Sequence, residues 1–238
     1  MRLDSYLFEK GFAQSRNKAA ELIKEGSVWL NGKVERKNSA EVGENDTIEV
    51  EKIAQYVSRA GLKLRGFINE LALNVKDADV LDIGSSTGGF VQVWLEENVK
   101  SVTAVDVGNE QLHPSLKVDN RIILHENTDI RLFMPEKTYD VVSCDVSFIG
   151  IGALLEHIDR LAKKEIIILF KPQFEVGKDV KRTTKGVVKD GSAIMRAQHQ
   201  FEAQTISLGW QLIDKRESLV KGKEGNVETF YYFKKREC

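Results

Sequence analysis

Apolar residues near the start of the chain recur at helical spacing, and the pattern then changes to short extended runs. Leu3 and Leu7 mark one helix, and residues 19–23 mark a second helix that ends at Gly26. The run SVWLNGKVE that follows is typical of a β-hairpin, because Asn-Gly is a favoured two-residue turn, and DTIEVE adds a strand. The pattern predicts a small α+β domain over residues 1–52.

From about residue 75 the pattern alternates between strands and helices. The runs ADVLDIG, SVTAVDVG, YDVVSCDVSF and EIIILFK predict strands, whereas GGFVQVWLEEN and IGALLEHIDRLAKK have the apolar spacing of helices. Such alternation is typical of an α/β fold with a parallel, doubly wound sheet covered by helices, and VETFYYFKK suits a final strand. We expect this Rossmann-like domain over residues 63–238, with a linker at 53–62.

Composition and charge are those of an ordinary globular protein. The chain is 42% hydrophobic and 30% charged with a net charge of -1, so any affinity for nucleic acid must come from a local patch. Two cysteines are too few for a disulfide framework, and neither they nor the four histidines have metal-ligand spacing, so we expect no metal. The sequence has no signal peptide and no apolar run of membrane-spanning length, which favours a cytoplasmic protein.

A glycine-rich turn, LDIGSSTGGF, follows the first strand of the larger domain. It lacks the G-x-G-x-x-G spacing of a dinucleotide site and the Lys-Ser/Thr ending of a P-loop. Ligands of open α/β sheets bind beyond the carboxyl ends of the strands, where Asp106 and Asp129 follow the next two strands. Either aspartate alone could simply cap a strand or helix.

Together with the turn, however, the two aspartates favour S-adenosyl-L-methionine as the cofactor. That molecule is an adenosine bearing a sulfonium and an amino acid, so Asp106 could accept hydrogen bonds from its ribose and Asp129 from its adenine amino group. The expected cofactor-binding residues are Asp82, Gly84, Ser85, Ser86, Gly88, Gly89, Phe90, Asp106, Asp129 and Asp145.

A lysine stands where the apolar run IIILF ends. Lys171 could merely extend its ammonium into solvent. Desolvation, however, favours the neutral amine of a lysine, which can then act as a general base. Asp145, at the end of the neighbouring strand, would counter this effect, and we expect it near solvent in an open crevice.

The N-terminal pattern RLD…L…GFAQSR..A..LI..G.V.LNGK resembles the small RNA-binding domain named after ribosomal small-subunit protein four, also called the alpha-L domain. By charge spacing alone, its basic residues would form a solvated surface. The resemblance implies that they contact phosphates of structured RNA. The candidate contacts in this domain are Arg2, Arg16, Lys18, Lys24 and Lys33.

The motifs SRAGLKL, LDIGSSTGGF, CDVSF, LFKPQFEVGK and GNVETF occur in the order seen in the TlyA family, which the chain resembles over nearly its whole length. These ribosomal RNA 2'-O-methyltransferases, once labelled hemolysins, are related to the FtsJ-type enzymes, so the resemblance implies a class I methyltransferase sheet. It also implies a cytidine in ribosomal RNA as the substrate and a Lys-Asp-Lys-Glu catalytic tetrad. The matching residues are Lys63, Asp145, Lys171 and Glu228.

In the roles that this resemblance suggests, Lys171 orients the ribose hydroxyl and accepts its proton, while Asp145 holds Lys171 and approaches the cofactor. Lys63 and Glu228 hold the ribose. Because the sequence ends soon after its last predicted strand, as in shorter family members, we expect large-subunit RNA alone to be the substrate.

The stretch KDVKRTTKGVVKD is basic and predicts a mobile loop beside the active site. It could be a solvated surface loop, but we expect it to clamp RNA. The candidate RNA contacts outside the N-terminal domain are Arg59, in the expected linker, and Lys181, Arg182 and Lys185.

Three other functions are considered beside methyl transfer, and the sequence argues against the last of them. Pseudouridine synthases often carry the same N-terminal module, and a non-enzymatic ribosome-binding factor could retain both domains without activity. A membrane-lysing protein, suggested by the old family label, would need a spanning or strongly amphipathic segment, which the sequence lacks.

Overall fold

The structure, a computed structural model, describes residues 1–13, 15–43, 45–50, 56–71 and 73–236. The chain divides into two compact units, residues 1–55 and 56–238. Within the described residues, no helix is long and apolar enough to cross a membrane.

The N-terminal unit contains two helices and a small sheet. Helix α1 (Leu3–Glu9) packs on α2 (Arg16–Glu25), and strands β1 (Val28–Leu30), β2 (Lys33–Val34) and β3 (Ile48–Val50) form an antiparallel sheet in the order β2-β1-β3. The Ser15 hydroxyl caps α2 by accepting a hydrogen bond from the Lys18 N–H at 3.2 Å. The core of the N-terminal unit contains Leu3, Leu7, Ala13, Ala19, Ile23, Val28 and Val42.

The larger unit is a sheet with helices packed on it. The described helices are α3 (Arg59–Ile68), α4 (Gly89–Glu96), α5 (Leu155–Leu161), α6 (Pro172–Glu175) and α7 (Gly191–Ser207). The strands are β4 (Asp79–Ile83), β5 (Ser101–Val105), β6 (Ile122–His125), β7 (Tyr139–Cys144), β8 (Ala162–Phe170), β9 (Trp210–Glu217) and β10 (Thr229–Lys235).

The strand order, β6-β5-β4-β7-β8-β10-β9, explains where a ligand can bind. Strands β4 to β8 are parallel, and the chain order reverses between β4 and β7, which opens a crevice at their carboxyl ends. Strand β10 runs antiparallel to β8, with Thr229 opposite Phe170. Consequently the start of β10 lies at the same edge of the sheet as the end of β8, and Glu228 is brought close to Lys171.

The structure departs from the sequence-based expectations at two places. Helix α3 begins at Arg59, so residues 59–62 of the expected linker are helical, while residues 53–55 lie outside the described residues. Helix α7 and strand β9 are additional elements that the apolar pattern did not predict. β9 is an edge strand that buries only Trp210 fully, so its sequence lacks the alternation of a half-buried strand.

A polar chain runs through the core beneath the crevice. The Trp94 indole N–H donates to Ser143 Oγ at 3.0 Å, and that hydroxyl donates to Asp82 Oδ1 at 2.6 Å. Asp82 is 1% exposed, and its other carboxylate oxygen has no hydrogen-bond partner among the described residues. Burial therefore raises the pKa of Asp82 to about 7, and the charges of Asp145 and Asp106 add to this effect.

This raised pKa predicts a pH-dependent stability. An unfolded aspartate titrates near pH ~3.9, so the folded state loses stability as the pH rises from about 4 to about 7, where Asp82 becomes charged. Asp82→Asn stays neutral at every pH. Its unfolding free energy minus that of the parent should therefore increase by about 2–3 kcal/mol from pH 5 to pH 8. Urea denaturation without cofactor measures this difference.

The exposed Asp179→Asn serves as the matched control and should show the same difference from the parent at both pH values. If the Asp82→Asn difference is also independent of pH, Asp82 does not titrate in the folded protein near neutral pH.

Candidate active site

Two cavities open at the carboxyl edge of the sheet. The first, of about 510 Å³, is lined by the turns that follow β4, β5, β6 and β7. The second, of about 560 Å³, lies beyond the end of β8. Ser147 and Phe148 line both cavities, so the two spaces meet at the turn after β7. We call them the first cavity and the cleft.

Asp106 lies in the wall of the first cavity and is oriented by backbone groups. Its Oδ2 accepts the Ser86 N–H at 2.8 Å, and its Oδ1 accepts the Gly108 N–H at 2.7 Å. A carboxylate oxygen has more than one acceptor site, so both oxygens can still accept hydrogen bonds from a ligand. Asp106 is therefore fixed in the cavity wall with acceptor sites to spare.

Asp129 also lines the first cavity but is paired with Arg131. The guanidinium contacts both carboxylate oxygens at distances between 2.5 and 3.0 Å, and it lowers the pKa of Asp129 to about 2. The carboxylate is consequently charged at neutral pH and remains an acceptor.

Gly84 brings two turns of the first cavity together. Its φ of 78° lies in the left-handed region, and a Cβ at this position would be 3.1 Å from the Asp145 carbonyl oxygen. A larger residue would therefore push the turn after β4 away from the turn after β7.

The other residues of the glycine-rich stretch have packing roles. A Cβ on Gly89 would collide with Ser58 Oγ and with the backbone of Gly61, so this glycine permits the close contact of α3 with α4. Phe90 is buried and stacks on Phe230. Of the cofactor-binding residues expected in this stretch, those outside the first cavity's lining are Asp82, Ser85, Gly88, Gly89 and Phe90.

Lys171 and Asp145 form an ion pair between the two cavities. The Lys171 Nζ lies 2.6 Å from Asp145 Oδ1, although the two are not aligned as a directed hydrogen bond. The ammonium also donates to Ser147 Oγ at 3.0 Å and to the Asp145 carbonyl oxygen at 3.4 Å. It is thereby held at the end of β8 by contacts with the turn after β7.

The expectation that Asp145 lies near solvent is wrong. Its side chain is 12% exposed, because the turn after β7 and the Lys171 side chain enclose it. Burial raises the pKa of Asp145, and the Lys171 ammonium opposes this rise. Removing the charge of Lys171 alone would therefore leave a buried carboxylate without its cation.

Lys63 and Glu228 form a second buried ion pair beside the first. The Lys63 Nζ donates to Glu228 Oε2 at 2.6 Å, and both residues line the cleft together with Lys171. The Gln173 amide donates to the other carboxylate oxygen at 3.2 Å. A Cβ on Gly222 would lie 2.5 Å from that same oxygen, so the chain passes close against the carboxylate.

The structure thus brings the four tetrad positions together and adds neighbours that the sequence did not single out. Ser147 follows Asp145 by two residues in CDVSF, and Gln173 follows Lys171 by two in FKPQF. Both are polar residues just beyond strand ends, which is the signal that could have indicated them. Phe148, 91% exposed, lies where the cavities meet.

The basic residues predicted to contact RNA in the N-terminal unit lie on its surface. Arg2 and Arg16 both approach Asp4, at 2.7 and 3.6 Å, and the Arg2 guanidinium lowers the pKa of that carboxyl to about 2. Lys18 pairs with Glu21 at 2.8 Å. The remaining candidates in this unit, Lys24 and Lys33, are exposed.

In the larger unit, the predicted RNA contacts differ from one another. Lys181 and Lys185 are exposed, and Lys185 lines the cleft. Arg59 instead donates to the Lys221 carbonyl oxygen at 2.6 Å, and Arg182 is engaged with several backbone carbonyls. The stretch 178–190, which was expected to be a mobile loop, is anchored to the larger unit, since Val188 is buried against Val176 and Ala193.

The donor set of the site suits an organic cofactor. Its oxygens and nitrogens are carboxylates, backbone amides and lysine amines, and the first cavity has the volume typical of small-molecule sites. Across the described residues, no three His, Cys, Asp or Glu side chains cluster in a way that could hold a metal ion.

Comparison with known proteins agrees with this geometry. Residues 56–235 match the model of FtsJ-like methyltransferases, and residues 1–48 match the S4 domain. The Campylobacter jejuni protein named "23S rRNA (cytidine-2'-O)-methyltransferase TlyA" is 48% identical, covering 98% of this chain and 99% of its own. "16S/23S rRNA (cytidine-2'-O)-methyltransferase TlyA" from Mycobacterium tuberculosis is 35% identical, covering 98% and 89%.

Among solved structures, "Putative hemolysin from Streptococcus thermophilus" matches with a TM-score of 0.74 and 29% identity, covering 100% of this chain and 89% of its own. The chain therefore belongs to the TlyA family of FtsJ-like methyltransferases and carries an S4 domain at its N-terminus.

Proposed function

We propose that the protein transfers a methyl group from S-adenosylmethionine to the ribose 2'-hydroxyl of a cytidine in ribosomal RNA. The observation that carries this proposal is the pair of buried lysine–carboxylate contacts between the first cavity and the cleft. Such an arrangement can orient a hydroxyl and accept its proton without a metal. Membership of the methyltransferase family removes the pseudouridine-synthase alternative for the larger unit.

The first cavity is the proposed cofactor site. Asp106 would accept hydrogen bonds from the ribose hydroxyls, Asp129 would accept one from the adenine amino group, and the turn at Gly84 would contact the amino-acid portion. The cofactor supplies a methyl group that its sulfonium has already activated. The protein's contribution would then be to align that group with the attacking oxygen of a substrate bound in the cleft.

Lys171 is the proposed acceptor of the hydroxyl proton. With the cofactor bound, the hydroxyl oxygen would take its methyl group, and the Lys171 amine would accept the proton that this oxygen loses. Asp145 and Ser147 hold the Lys171 side chain in place for this transfer.

Lys63 and Glu228 are the proposed ribose-positioning pair. The Lys63 ammonium neutralises the buried carboxylate, and Gln173 fixes the other oxygen of that carboxylate. Glu228 can therefore accept a hydrogen bond from the ribose while the local charge stays balanced.

Ribosomal RNA is the proposed substrate because the family model and the S4 domain occur in one chain. We propose large-subunit RNA, since the relative that is 48% identical over nearly its whole length is named for 23S rRNA.

Incubating the purified protein with ribosomal RNA and methyl-labelled cofactor tests whether it methylates a cytidine ribose. A 2'-O-methyl blocks alkaline cleavage, so the label should appear in an alkali-stable dinucleotide containing cytidine, whereas label in mononucleotides would contradict the proposal.

The cofactor assignment predicts the behaviour of Asp106→Ala. Loss of the ribose hydrogen bonds should weaken S-adenosylmethionine binding by about 1–3 kcal/mol, measured by calorimetry. Asp119→Ala removes an aspartate whose ion pair with Arg121 lies outside the cavity lining, and it should bind like the parent. Unchanged affinity of Asp106→Ala would remove Asp106 from the site.

The proton-transfer assignment predicts the behaviour of Lys171→Arg. A guanidinium keeps the positive charge beside Asp145 but stays protonated, so single-turnover methyl transfer should fall by about a hundredfold or more. Cofactor affinity should be retained. Lys164→Arg, at the exposed amino end of the same strand, is the control and should leave the rate unchanged. A near-parental rate for Lys171→Arg would show that Lys171 is only a positioning cation.

A further inference from the structure

The segment that follows Lys171 folds around one arginine. We call residues 173–188 the cleft segment. The Arg182 guanidinium donates to five backbone carbonyl oxygens of this segment, at distances between 2.8 and 3.3 Å. The acceptors belong to Gln173, Val176, Gly177, Lys178 and Val180.

Arg182 lines the cleft, but these contacts occupy both of its terminal nitrogens. Both terminal nitrogens of the guanidinium face carbonyl oxygens, and a phosphate could reach their hydrogens only by breaking such bonds. A lysine could not replace this arrangement, because its ammonium is a compact group with three donors rather than a planar fork.

The far end of the cleft segment is fixed by a second polar residue. Asn226 is 3% exposed, its Oδ1 accepts the Val188 N–H at 3.0 Å, and its amide donates to the Gly186 carbonyl oxygen at 3.4 Å. Residues 182 and 188 also pair as an isolated antiparallel bridge. The segment is thus held from within by Arg182 and from outside by Asn226.

The cleft segment carries parts of the proposed site. Gln173 donates to the Glu228 carboxylate, and Lys185 lines the cleft with its exposed ammonium. We infer that Arg182 is a positioning residue, which fixes the cleft segment so that Gln173 and Lys185 meet the substrate, and is not itself a phosphate contact. This inference rests on the proposed function for its substrate.

The test measures two quantities for the full chain: the single-turnover methylation rate of ribosomal RNA, and the salt dependence of RNA affinity. Arg182→Lys should lower the rate about tenfold or more, because a misplaced site loses rate even when its charge is kept. Arg182→Ala should lower the rate similarly and leave the slope of log affinity against log salt unchanged. Lys185→Ala should reduce the magnitude of that slope by about 1, as expected for the loss of one phosphate contact.

Two further variants keep the test decisive. Asn226→Ala loosens the same segment without removing a cation, so it should reproduce the rate loss and the unchanged slope. Arg196→Lys changes an exposed arginine of α7 for which the structure gives no carbonyl contact among the described residues, and it should match the parent. Calorimetry with S-adenosylmethionine shows whether each variant keeps a folded methyltransferase unit.

Opposite results would overturn the inference. If Arg182→Ala reduces the salt slope by about one and Arg182→Lys restores both slope and rate, Arg182 contacts a phosphate. If Arg182→Lys and Asn226→Ala both keep the parental rate, the cleft segment needs no such support. A parent chain that transfers no methyl group at all would instead refute the proposed function, and the salt slopes would still show whether Arg182 contacts RNA.

Discussion

The ion pair between Lys63 and Glu228 joins the first helix of the larger unit to the residue just before its last strand, across 165 positions of sequence. Both side chains are nearly buried, at 10% and 2% exposure. Desolvating two charges costs about as much as their attraction returns, so a buried pair of this kind adds little stability. Removing either partner alone, however, leaves an uncompensated charge in the protein interior. The pair therefore makes the site depend on the complete fold rather than on a local motif.

Strand direction explains how the second ion pair comes to lie beside the first. Parallel strands β7 and β8 place Asp145 and Lys171 at one edge of the sheet, and antiparallel β10 returns Glu228 to that edge. Two lysine–carboxylate ion pairs then lie at one edge of the sheet. This pairing allows two lysines to be buried at the edge of the sheet, while the reversal of strand order at β4 and β7 opens the adjacent first cavity.

Much of this arrangement can be predicted from sequence, because buried strands rich in Val and Ile alternate with amphipathic helices and polar residues follow the strand ends. The burial of Asp145 cannot, since it depends on how the turn after β7 folds over the strand end. The role of Arg182 cannot be predicted from the sequence either, because its partners are backbone carbonyls, which every residue type provides. Strand β9 has no periodic signal, since it lies at the edge of the sheet with most of its side chains exposed or partly exposed.

The double variant Lys63→Met/Glu228→Gln shows whether the buried charges serve chemistry rather than stability. It removes both charges together and leaves an amide that can still bond Gln173. We expect its unfolding free energy to match or exceed that of the parent and S-adenosylmethionine to bind, yet no methyl group to be transferred to ribosomal RNA in a single turnover. Methyl transfer at the parental rate by this neutral pair would show that the buried charges are not needed for the reaction.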